Sequence, residues 1–115
     1  MRRFLVAIIG PTYAVVLASC ETSLKSAPPV TAAFIRAGRQ ENVDSRTLET
    51  GRKVFLNRCI ACHALPDVTK REAARIPRIV GWMSSRAHLT PEQHEALVKY
   101  LLAVKSQSRQ PLRFP

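Results

Sequence analysis

The stretch that decides the fold is Arg58-Cys59-Ile60-Ala61-Cys62-His63-Ala64-Leu65-Pro66. Two thiols and an imidazole fall within five residues of it, on one turn of chain. Such a set can hold zinc, run dithiol redox chemistry or attach a cofactor. Zinc takes four ligands and usually a second cysteine pair. The remaining cysteine is Cys20, and His88 and His94 stand at poor spacings for that task. A thioredoxin-like dithiol expects a strand–helix context, and no stretch here alternates apolar and polar residues for long.

The third reading fits without a missing partner. Cys-x-x-Cys-His is the attachment signal for c-type haem. Two thiols with two residues between them can add across the two vinyl groups of one porphyrin. His63, next to the second thiol, then falls beneath the iron and donates an imidazole nitrogen. Covalent attachment retains a large apolar cofactor in a domain of roughly 60 residues, too small to enclose it fully.

Working outward, Asp44 or Ser45 caps a helix predicted from about Arg46 to Asn57. Its apolar positions are Leu48, Val54, Phe55 and Cys59, and Gly51 lies on the side of Phe55. A mid-helix glycine costs up to about 1 kcal/mol against alanine, and close approach of another helix is the usual reason for one. After the motif comes a loop to Thr69, which is expected to cap a short helix from Lys70 to Arg75. Pro77 opens another, running to about Met83, with Ile76, Ile79, Val80 and Met83 at helical spacing. The last helix carries the strongest signals: Thr90 at its cap, Pro91 at its first position and Gln93 completing a capping box. It is predicted to reach Val104 or Lys105, with Leu97, Tyr100, Leu101 and Val104 as its buried stripe. The fold class is all-α.

From about Arg46 to Lys105 the chain resembles a class I cytochrome c domain of the compact bacterial monohaem kind. The resemblance is carried by Gly51-x-x-x-Phe55, by the loop from Cys59 to Pro66 and by Leu97-x-x-Tyr100-Leu101. It implies about three or four helices wrapped around one covalent haem c, the last helix crossing the first at Gly51. It implies that the Pro66 carbonyl accepts the other N–H of His63, fixing the ring and its basicity. It also implies Met83 as the second axial ligand. Met83 follows His63 by 20 residues and is the only methionine besides Met1. The family often places tryptophan where Ile76 stands, so Trp82 inherits no role. His88 and His94 are rival ligands, and a lone methionine can also simply fill a gap in a core.

His/Met ligation fills both axial positions and raises the reduction potential. The implied function is therefore single-electron transfer rather than catalysis. Two alternatives stay open: a cytochrome subunit of a larger periplasmic redox complex, and a gas-binding or peroxidase protein with an open distal site.

At the start of the chain, residues 1–19 read as a signal peptide. Arg2 and Arg3 precede an apolar run from Phe4 to Leu17 that is too short to span a bilayer. Leu17-Ala18-Ser19-Cys20 resembles a bacterial lipoprotein box, which implies lipidation of Cys20 and cleavage before it. One cysteine then goes to lipid and two to haem, leaving none for a disulfide. Residues 20–44 are expected to form a lipid-anchored flexible linker, polyproline-like from Ser26 to Val30. The alternative is that Phe34 and Ile35 pack onto the domain. Residues 45–106 form the domain and 107–115 a tail.

The net charge of +10 falls by two, to +8, when Arg2 and Arg3 leave with the signal. That suits redox partners with an acidic docking surface, or anionic lipid heads. Nucleic acid is not an expected partner, because export removes the chain from it and no binding motif is present. The expected location is the periplasmic face of a bacterial membrane, with a soluble periplasmic protein as the alternative.

Overall fold

The protein was analysed as a computed structural model, which describes residues 26–39 and 42–109. Residues 1–25, with the expected signal peptide and the box ending at Cys20, residues 40–41 and residues 110–115 lie outside that range. Among the described residues there are helices and no strands, as the all-α reading requires. In chain order they are α1 (Ala32–Arg39), α2 (Ser45–Val54), a wide π-type turn (Phe55–Cys59), two short 3-10 turns (Val68–Lys70 and Ala73–Arg75), α3 (Ile76–Ser84) and α4 (Pro91–Ser108).

Helix α2 begins where a short carboxylate can hold its free N–H groups. Asp44 accepts from the Thr47 backbone N–H at 3.0 Å and from the Thr47 hydroxyl at 2.7 Å. These bonds favour the charged carboxylate and hold its pKa below the usual value. Helix α4 begins with the full capping box. Thr90 Oγ1 accepts from Gln93 N–H at 3.2 Å, and Thr90 N–H donates to Gln93 Oε1 at 3.1 Å. It continues one turn past Lys105, to Ser108.

The two helices cross at Gly51. A Cβ there would lie 2.6 Å from Tyr100 Cβ and closer still to the Ala96 carbonyl oxygen. The missing side chain is what lets α2 and α4 approach. Tyr100, fully buried beside the crossing, stacks on Phe34 of α1 at 5.3 Å between ring centres and meets Phe55 at 6.3 Å. Leu48, Val54, Leu97, Ala103 and Val104 complete this part of the core.

Over its described part, the stretch expected to be a flexible linker, residues 20–44, is packed instead. Ala27 and Phe34 are each 1% exposed and Val43 is buried. Arg52 Nε lies 3.3 Å from the Ala27 carbonyl and donates to that of Pro28 at 3.1 Å, and the Tyr100 hydroxyl donates to the same Pro28 oxygen at 2.8 Å. The Pro28–Pro29 segment is therefore a strap held across the helix crossing. The reason is apolar burial. Phe34 supplies a ring that the face of Tyr100 would otherwise lack, and stacked aromatic pairs add stabilisation beyond their buried area.

The helix expected from Lys70 to Arg75 is also corrected. Asp67, rather than Thr69, captures the local N–H groups, accepting from Thr69 N–H at 3.0 Å and from its hydroxyl at 2.5 Å. Only single 3-10 turns form, separated by Arg71 and Glu72 in extended conformation. Helix α3, by contrast, starts as expected, with proline in its first turn. It closes in a reverse turn in which Leu89 N–H reaches Ser84 O at 3.0 Å and His88 N–H reaches Ser85 O at 3.3 Å. His88 takes the left-handed position of that cap, φ 51°, where glycine is usual.

Two outcomes follow from the crossing. Gly51→Ala gains some helix propensity but forces a Cβ into backbone, so a net loss of about 1–3 kcal/mol is expected. A urea melt of the variant against wild type measures it, and an unchanged midpoint would disprove the close approach. Burial pushes the Tyr100 phenol up to about 12, partly offset by Arg52. Its folded pKa therefore exceeds the unfolded value of about 10. The stabilisation is complete below the unfolded value and lost as pH climbs from there through the folded one. Tyr100→Phe should flatten stability over that alkaline window, while losing about 1 kcal/mol at neutral pH with the bond to Pro28.

Candidate cofactor site

The cysteine–histidine motif is delivered by α2. The wide turn Phe55–Cys59 continues the helix, burying Phe55 at its start and leaving Cys59 half-buried at its end. Cys62 and His63 follow on an exposed turn. Both thiols are free. Burial pushes the Cys59 thiol above its ordinary pKa, and the nearby Cys62 pushes it the same way.

The His63 imidazole is exposed, with Nδ1 2.7 Å from the Ala64 carbonyl oxygen. That contact stands where Pro66 was expected to serve. Pro66 itself is partly buried in the following loop, beside Leu65, which packs on the core. An Nδ1–H donating to a carbonyl leaves Nε2 with its lone pair free, the tautomer a metal ligand needs.

Met83 lies in the last turn of α3, 38% exposed, while Ile76 and Val80 on the same helix are buried. No hydrogen bond joins Met83 to His63. The structure brings the two cysteines together and leaves the two expected axial ligands on separate elements. Of the rivals, His94 is partly buried and lies 3.4 Å from Ser84 Oγ through its Nδ1, and His88 is exposed. Among the described residues no group of three or more His, Cys, Asp or Glu side chains gathers as a metal site.

Exposed apolar surface tests whether these residues suit a large apolar group. Among the described residues the large hydrophobic side chains left exposed are Ile60, Trp82 and Met83. Ile60 lies between the two cysteines, and Met83 is the expected ligand. An apolar plate bonded to Cys59 and Cys62 would remove from water the kind of surface these two present. In residue type, two free thiols, an exposed imidazole and exposed apolar side chains suit such a group. The one feature that pattern reading missed is Trp82, whose ring carries the Arg78 guanidinium 5.5 Å from its centre.

Compared with known proteins, the chain matches no family model, no curated protein and no solved structure.

The thiols differ in reactivity before anything is attached. In cofactor-free chain at neutral pH, iodoacetamide should label exposed Cys62 several-fold faster than Cys59. Cys59 is half-buried, and its raised pKa leaves little thiolate. Peptide mass spectrometry after brief labelling reads the ratio, and raising the pH should narrow it. Faster labelling of Cys59 would contradict this arrangement.

Proposed function

We propose that this chain is a one-haem c-type cytochrome that carries single electrons. The observation that carries the reading is Cys59-x-x-Cys62-His63 at the end of the wide turn that continues α2, with both thiols free and Cys62 and His63 open to solvent. Cys59 and Cys62 hold haem c by two thioethers, and His63 is its proximal ligand. Met83 would supply the second ligand, from a helix that buried Ile76 and Val80 anchor in the core. When bound, haem supplies a one-electron iron couple. The chain's part is to fill both axial positions, which leaves no place for substrate, and to withhold the iron from water.

Single-electron transfer needs a partner, and the net charge of the chain suits one with an acidic docking face. Service as a subunit of a larger redox complex would use the same site. Lipidation at Cys20 would hold the protein at the periplasmic face of a membrane, with Glu21 to Ala27 between the lipid and the strap.

Intact mass and spectra test the proposal together. The processed wild-type chain should carry one haem and a diacylglyceryl group. Cys59→Ala/Cys62→Ala should lose all covalent haem, and Cys20→Ala the lipid. Met83→Ala should lose the near-infrared sulfur-to-iron band and shift to a lower potential. Met83→Ala/His88→Ala, measured alongside it, reveals any replacement by His88. Wild-type protein without the sulfur band, binding carbon monoxide readily, would refute Met83 ligation and favour the open-site alternative.

A further inference from the structure

Trp82 is the feature that the proposed electron-transfer site leaves unused. It is the only tryptophan of the chain and is 69% exposed, the most exposed of the large hydrophobic side chains described. Burying such a ring is favourable by a few kcal/mol in general, so its outward position invites a partner.

Its neighbours on the helix define that partner's charge. Arg78, Trp82 and Arg86 are spaced four apart and form one stripe along α3 and the turn that follows it. The helical pitch persists to the third of them, because Ala87 N–H still reaches Met83 O at 2.9 Å beyond the last turn. All three are exposed. Arg78 lies over the Trp82 ring, its guanidinium 5.5 Å from the ring centre. Arg75 flanks the stripe, but its Nε is paired with Glu72 at 2.9 Å. From Ala73 to Pro91 the chain contains no Asp or Glu. Arg78 and Arg86 therefore present their charge without a carboxylate of their own segment to neutralise it.

We infer that the Arg78–Trp82–Arg86 face of α3 docks on an anionic lipid surface. The combination is specific. Tryptophan prefers the headgroup level, where its ring meets acyl carbon and its N–H meets water. Arginine binds phosphate with a planar fork. An acidic protein would satisfy the two arginines, and tryptophan also anchors protein interfaces; a lipid surface offers phosphate for the arginine forks and acyl carbon for the indole at one depth. The inference needs neither haem at Cys59 and Cys62 nor acylation of Cys20.

The test uses the haem-loaded chain from residue 20 onward with Cys20→Ser, exported behind an unrelated cleavable leader, so that no lipid is attached. It is sedimented with vesicles of phosphatidylcholine alone or with added phosphatidylglycerol. Binding is expected only with the anionic lipid, weakening as salt is raised. Arg78→Gln and Arg86→Gln should each weaken it about fivefold, and Trp82→Ala by a similar factor. The control Lys53→Gln/Arg58→Gln removes two exposed charges from the α2 side. Equal weakening by the control would reduce the effect to overall charge and overturn the inference. So would binding to neutral vesicles as strong as to anionic ones. Failure to bind anionic vesicles, with Arg78-dependent binding to polyglutamate, would overturn it as well and assign the face to an acidic protein. None of these readouts depends on the axial ligands, so the proposed electron-transfer function stands or falls separately.

Discussion

Close approach of α2 and α4 at Gly51 is the constraint on which the rest of the molecule depends. With no side chain between them, the backbone of α2 meets the Ala96–Tyr100 stretch of α4 directly. That places the Tyr100 ring where Phe34 and Phe55 can both reach it. One tyrosine thus joins three elements, and its hydroxyl, turned outward from the apolar contacts, reaches the Pro28 carbonyl. A phenylalanine would keep the packing and leave Arg52 as the donor to Pro28, whereas a bulkier residue at position 51 would disturb the crossing itself.

The same crossing fixes the ends of the candidate site. Helix α2 leads from Gly51 through Phe55 into the wide turn, so the cysteines leave the core at a determined place. Helix α4 supplies the surface on which α3 rests, through buried Ile76 and Val80. Met83 therefore extends from a helix that is anchored independently of the motif turn. The two halves of the site are positioned by the core and not by each other. This suits a cofactor that spans them, since the scaffold on either side has its own reasons to form.

What could be read from the residues divides along the range of the interactions. The cap of α4 was legible because Thr90, Pro91 and Gln93 satisfy its first N–H groups within four residues. Gly51 was legible because a glycine inside a helix invites an explanation, and the resemblance pointed to a crossing there. The strap was not, because the partner of Pro28 is 72 residues away and nothing local marks a proline carbonyl as an acceptor. The stretch from Lys70 to Arg75 misled for the opposite reason. A competing local acceptor, Asp67, took the N–H groups that a Thr69 cap would have used. In the site, the motif was legible as chemistry within one turn. The mutual placement of His63 and Met83 belongs to two separate elements and is not encoded in their spacing.

The strap also sets an order of events during synthesis. Phe34 and the Pro28 carbonyl belong to the first part of the domain, and Tyr100 to its last helix. Their mutual contacts cannot form until nearly the whole chain has been made, because loops of this length close only when both ends exist. Cys59 and Cys62 emerge well before that moment. While the core is still open, they sit on a segment whose eventual neighbours have not arrived. A thiol that becomes half-buried against the core in the finished fold, as Cys59 does, is thus most accessible to covalent modification early, before that core has closed.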